Sequence, residues 1–137
     1  GTPPMNFFDA TLLKEGDDLF LGFGPFKVKI PAARAAQVDQ SHVGKEIIMG
    51  VRPEDIHDEP DFIAKTPDAT ITAKVDVVEL MGSETNLYLL IEGKDGSATA
   101  VVDARSLSRT GDTIKIALDL YNVHLFDRET EVSLIKQ

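Results

Sequence analysis

The chain has 137 residues, no cysteine, and a net charge of −9 from 23 acidic against 14 basic side chains. With 42% hydrophobic and 27% charged residues it is ordinary globular material for one domain, outside the apolar-poor corner where chains stay disordered. The charge balance disfavours nucleic acid and anionic lipid as partners, the missing thiols exclude disulfides, thiolate zinc and cysteine nucleophiles, and no apolar run approaches a bilayer span.

Residues 2–6 hold Pro3 and Pro4 and should run extended into the fold. Short strand-like runs follow at 10–14, 19–23 and 26–30, split by Glu15-Gly16-Asp17-Asp18 and Gly24-Pro25. Phe26, Val28 and Ile30 alternate with Lys27 and Lys29, the period of a strand with one wet face. Residues 31–38 form the one segment rich in strong helix formers, with Pro31 suited to a first turn, so one short helix is expected. A strand at 46–51 then delivers Arg52-Pro53-Glu54-Asp55, where the proline must end central pairing. Residues 58–68, acidic and twice interrupted by proline, read as a solvated loop.

Further strands are expected at 70–80, 86–92, 97–102, 113–120, 122–126 and 131–135, with turn chemistry at Met81-Gly82-Ser83, Gly93-Lys94-Asp95-Gly96 and Thr110-Gly111-Asp112. In the first of these Ile71, Ala73, Val75 and Val77 hold one face before Val78 and Leu80 take the other, a phase switch that predicts a bulge or bend. The whole reads as an all-β barrel or sandwich, between which periodicity does not decide.

Catalytic signatures are missing. Gly44-Lys45 and Gly93-Lys94 lack the upstream glycine and following hydroxyl residue of a phosphate loop, and no Gly-x-Ser-x-Gly elbow occurs. His42, His57 and His124 form no helical ligand pair. The acidic run from Asp55 would place Pro60 where a calcium loop needs glycine, so it reads as a solvated segment rather than a metal site. Phe7, Phe8, Phe20, Phe23 and Phe26 cluster early without arginines, as core or interface residues rather than a base-stacking platform. Arg52 and Glu54 are either a surface ion pair or a polar contact to a partner.

Four stretches in order, Pro4-Met5-Asn6-Phe7-Phe8, Met49-Gly50-Val51-Arg52-Pro53-Glu54-Asp55, Val77-Val78-Glu79-Leu80-Met81-Gly82-Ser83-Glu84-Thr85 and Val123-His124-Leu125-Phe126-Asp127, resemble the C-terminal regulatory region of ATPase subunits of the maltose and multiple-sugar importer family. The resemblance implies OB-like barrel modules sharing strands, residues 1–8 as a linker from an ATPase domain and residues 9–137 as the regulatory β-barrel. It implies a non-catalytic role: holding a homodimer of subunits together and docking regulators, among them a sugar-phosphotransferase component. ATP and magnesium would belong to the ATPase domain, with no cofactor in this segment. Further partners would be the transporter's membrane subunits, and the place would be the cytoplasmic face of the cell membrane. Interface candidates are Arg52, Glu54, Gly82, Glu84, Thr85, His124 and Phe126, with Gly82 placing a turn and Phe126 packing. The alternative is a β module that binds a small sugar or oxyanion.

Overall fold

Phe8, Ala10 and Leu12 point one way from strand β1 (Asn6–Glu15) while Phe7 and Asp9 point the other, the period of two expected of a strand with one buried face. β1 lies at the centre of a five-stranded antiparallel sheet in which it pairs with β2 (Asp18–Phe23) and β4 (Glu46–Val51), with β3 (Phe26–Lys29) beyond β2. A second sheet is formed by β5 (Ile56–His57), β6 (Thr70–Leu80), β7 (Glu84–Leu90), β8 (Ala98–Asp103) and β9 (Thr113–Leu118), in the order β5-β9-β6-β7-β8. The last strand, β10 (His124–Phe126), returns to the first sheet and pairs with β4. The expectation of an all-β fold of OB-like modules holds in this computed structural model, which describes residues 3–136.

Three differences from the sequence reading have physical causes. β1 begins at Asn6, so the extended lead-in is shorter than the expected linker of residues 1–8; residues 1 and 2 lie outside the described residues. Beside the expected helix, found at α1 (Ala32–Ala35), a second one, α2 (Pro60–Lys65), occupies the segment read as a loop. Proline at the start of a helix costs no hydrogen bond, Asp61 suits its positive end, and Phe62 stacks on His57 with ring centroids 3.8 Å apart. Residues 131–135 contribute only isolated bridges, Phe126 to Ser133 and Val38 to Ile135.

The predicted phase switch in β6 is a bulge between Val75 and Val77. Ile71, Ala73 and Val75 face the core; past the bulge Val78 faces Leu87 inward, which turns Val77 outward, against its expected side.

The two sheets are fastened at three points. The Asn6 amide donates to Val51 O at 3.1 Å and Thr99 O at 2.9 Å, and accepts from Thr99 N at 2.8 Å, so one side chain ties β1 and β4 to β8. Gly24 and Gly93 bring their backbones so close that a Cβ on either would collide with the other's turn. The Lys94 ammonium sits 5.5 Å from the centre of the Phe8 ring.

Candidate functional surfaces

Met5, Phe7, His124 and Phe126 form one face on the outside of the first sheet. Gly50 lies beneath them: a Cβ there would meet Met5 Sδ at 2.5 Å, Phe126 at 3.3 Å and His124 at 3.4 Å, so glycine makes room for three side chains to converge. Phe126 stacks parallel to His124 at 6.2 Å and meets Phe7 edge-on at 6.2 Å. Phe7 remains 53% exposed.

Two arginines flank this face. Arg34, on α1, donates from Nε and Nη2 to Val123 O at 3.0 and 2.7 Å, which fixes its guanidinium beside β10. Arg52 follows β4 and is exposed; among the described residues it makes no ion pair, with Glu54 or any other carboxylate. Burial, then the positive charges of Arg52 and Arg34, push the His124 imidazole below its ordinary range. Asp55 is buried under the same end of the sheet, with Asn122 Nδ2 donating to it at 3.1 Å. Desolvation raises its pKa against that hydrogen bond.

The seven sequence candidates therefore separate into two places. Arg52, Glu54, His124 and Phe126 belong to the aromatic end of the first sheet, with Glu54 exposed in the turn after Arg52. Gly82, Glu84 and Thr85 belong to the β6–β7 hairpin. Gly82 has φ +87°, the left-handed conformation its turn requires, and Glu84 is exposed opposite Asp103. Thr85 is only 3% exposed, inward opposite Val102, so its side chain serves packing and reaches no partner. Sequence reasoning missed Leu80 and Met81, 78% and 57% exposed at that hairpin's tip, and outward-facing Val77. Their apolarity was the available signal; it was absorbed into the strand pattern. Arg34 was missed because in sequence it is one helix former among several.

A half-open cleft of about 600 Å³ lies at the far side of the second sheet, lined among others by Thr72, Lys74, Glu92, Lys94 and Ser97. Lys94 donates to the backbone oxygens of Asp95 and Ser97, and burial lowers its pKa. In the acidic segment, carboxylates are engaged by protein donors: His57 Nδ1 donates to Glu59 at 3.0 Å, and Asp58 accepts from the hydroxyls of Ser106 and Ser108. No metal-competent cluster of three or more His, Asp or Glu side chains occurs among the described residues, nor any helix long and apolar enough to cross a membrane.

Comparison with known proteins matches residues 1–56 to the MalK OB fold domain and residues 49–126 to the TOBE domain. The oligosaccharides import ATP-binding protein MsmX of Bacillus subtilis is 37% identical over 135 residues, covering 98% of this chain and 35% of the relative. The trehalose/maltose import ATP-binding protein MalK of Thermococcus litoralis is 35% identical over 134 residues, covering 95% and 34%. The chain thus spans about a third of the length of the curated relatives it matches. Among solved structures the cytoplasmic molybdate-binding protein ModG superposes with a TM-score of 0.61 at 19% identity, over 88% of this chain and 94% of that one, a likeness of fold.

Proposed function

The chain belongs to the TOBE domain family, and from that premise we propose that it is the non-catalytic regulatory domain of a carbohydrate-import ABC transporter's ATP-binding subunit, pairing with its own copy and docking regulators. ATP and magnesium would be bound by the ATPase domain of the same subunit, and transporter membrane subunits would be reached through it, at the cytoplasmic face of the membrane. A regulatory domain changes an ATPase only by favouring one dimer geometry over another, since coupling needs differential affinity between states.

The observation that supports self-association is the β6–β7 hairpin tip. Leu80 and Met81 stand exposed next to outward Val77, three apolar side chains a monomer gains nothing by presenting to water. A twofold contact places the same patch on both copies, and apolar tips meet themselves without charge conflict. The aromatic face suits that role less, because a twofold contact there would bring Arg34 and Arg52 towards their own copies. Sedimentation of this chain from low to high micromolar concentration is expected to reveal a monomer–dimer equilibrium that Leu80→Glu weakens without lowering the melting temperature. A strict monomer throughout, or a dimer indifferent to Leu80→Glu, defeats this use of the hairpin.

A second reading, binding of a small sugar or oxyanion, is favoured by the Lys74–Lys94 cleft together with the fold shared with ModG. It predicts that molybdate or a neutral sugar at millimolar concentration raises the melting temperature by several degrees. No shift with either removes it.

A further inference from the structure

The sequence offers an oxidant few targets: it has no cysteine, no tryptophan and three methionines. The fold treats those three differently. Met49 is wholly buried in β4, and the Met5 sulfur is packed over Gly50. Met81 is 57% exposed at the β6–β7 turn, beside Leu80 at 78%. The hairpin holds it on a firm mount. Met81 N–H donates to Glu84 O at 2.9 Å, and Gly82 takes the left-handed conformation that the turn needs. Further down the hairpin, Asn86 Nδ2 and Tyr88 OH both donate to Glu79 Oε1, at 3.1 and 3.0 Å. A small oxidant therefore reaches one thioether of the three without any opening of the fold.

We propose that Met81 is a modification site for hydroperoxides, and that its sulfoxide loosens the hairpin contact between two copies of this chain. This rests on the self-association reading above and deepens it. The sulfur lone pair attacks one peroxide oxygen, the S–O bond forms as the O–O bond breaks, and hydrogen peroxide leaves as water. The thioether loses two electrons and the peroxide gains them. In the free chain the new S=O group is solvated and costs nothing. In a twofold contact it lies among Val77, Leu80 and their copies, where an acceptor without a donor is costly. The charged side chains of the hairpin, Glu79 and Glu84, only accept hydrogen bonds, so neither copy offers the sulfoxide a cation. Because the same patch occurs on both copies, each dimer meets that cost twice. A modification that penalises the dimer and spares the monomer shifts the equilibrium between them.

The test treats the whole chain with millimolar hydrogen peroxide and reads two quantities: the site of oxygen addition by peptide mapping, and the dimer dissociation constant by sedimentation. Oxygen should enter Met81 at least roughly tenfold faster than Met5 or Met49. The chain oxidised at Met81 should associate roughly tenfold or more weakly, with an unchanged melting temperature at monomer concentration. Methionine sulfoxide reductases for the two epimers should together restore the dimer. Met81→Leu should dimerise as the parent chain does and lose its response to peroxide. Met81→Gln, which places a polar group at the same spot, should imitate the oxidised chain without peroxide. Oxygen entering Met5 or Met49 first, a Met81 sulfoxide that leaves association unchanged, weakening that persists in Met81→Leu, or a lowered melting temperature overturns this proposal and leaves the self-association reading standing. A chain that is strictly monomeric before oxidation overturns both.

Discussion

Asp127 shows how much one side chain can organise. Its carboxylate accepts from the backbone N–H groups of Glu129 and Thr130, both at 2.8 Å, and from His42 Nε2 at 2.6 Å, knotting the chain just past β10. The Thr130 backbone hydrogen bond, then His42 and Glu129, hold its pKa well below the ordinary carboxylate range. A folded pKa below the unfolded one means stability that is full above the ordinary value of 3.8 and is lost as pH falls past it. Acid titration of the unfolding free energy should therefore fall below about pH 4, and Asp127→Asn should flatten that limb. Asp55 has the opposite sign: burial raises its pKa, so the ionised form costs stability at neutral pH. Asp55→Asn, which can still accept from Asn122, should raise the urea midpoint at pH 7, with the gain shrinking as pH drops and Asp55 protonates. Neither sign is readable from sequence, because Asp127 and Asp55 are ordinary aspartates until the fold brings His42 to the first and buries the second.

At the scale of elements, glycine separates local from tertiary demands. Gly111 has φ +91° with open space around it, whereas Gly93, at φ +87°, also lies against the backbone of Gly24. Gly111→Ala should cost about 1 kcal/mol from backbone conformation alone, and Gly93→Ala clearly more, by denaturant unfolding. The turn at Gly93-Lys94-Asp95-Gly96 was legible from composition; its seat against the β2–β3 turn was not. The β6 bulge was legible too, since an inward apolar pattern that skips one residue has few other solutions. Helix α2 was not, because proline and acidic residues suit a helix start as well as a loop, and what decides is the stacking of Phe62 on His57.

At the scale of the molecule, the fastenings between sheets predict cooperative behaviour. Asn6 alone serves three backbone groups, and Asn6→Ala would leave Thr99 N–H without its acceptor. That change should cost about 1–3 kcal/mol, with the two sheets still melting as one unit because the Gly24–Gly93 and Lys94–Phe8 contacts remain. Separate melting transitions for the wild-type chain would contradict this.

Sequence by itself determined the all-β class, most strands, the turns and the family resemblance, because these depend on periodicity and on residues that suit particular backbone angles. It also named residues that lie on each candidate surface, Arg52, His124 and Phe126 on one and Gly82 and Glu84 on the other. Only the tertiary structure decided that these are separate places, that Thr85 is buried, and that Arg34 is held against β10. The reason is physical: exposure and charge pairing are properties of what packs alongside, and Arg34 reaches Val123 across 89 residues of chain that no local pattern spans.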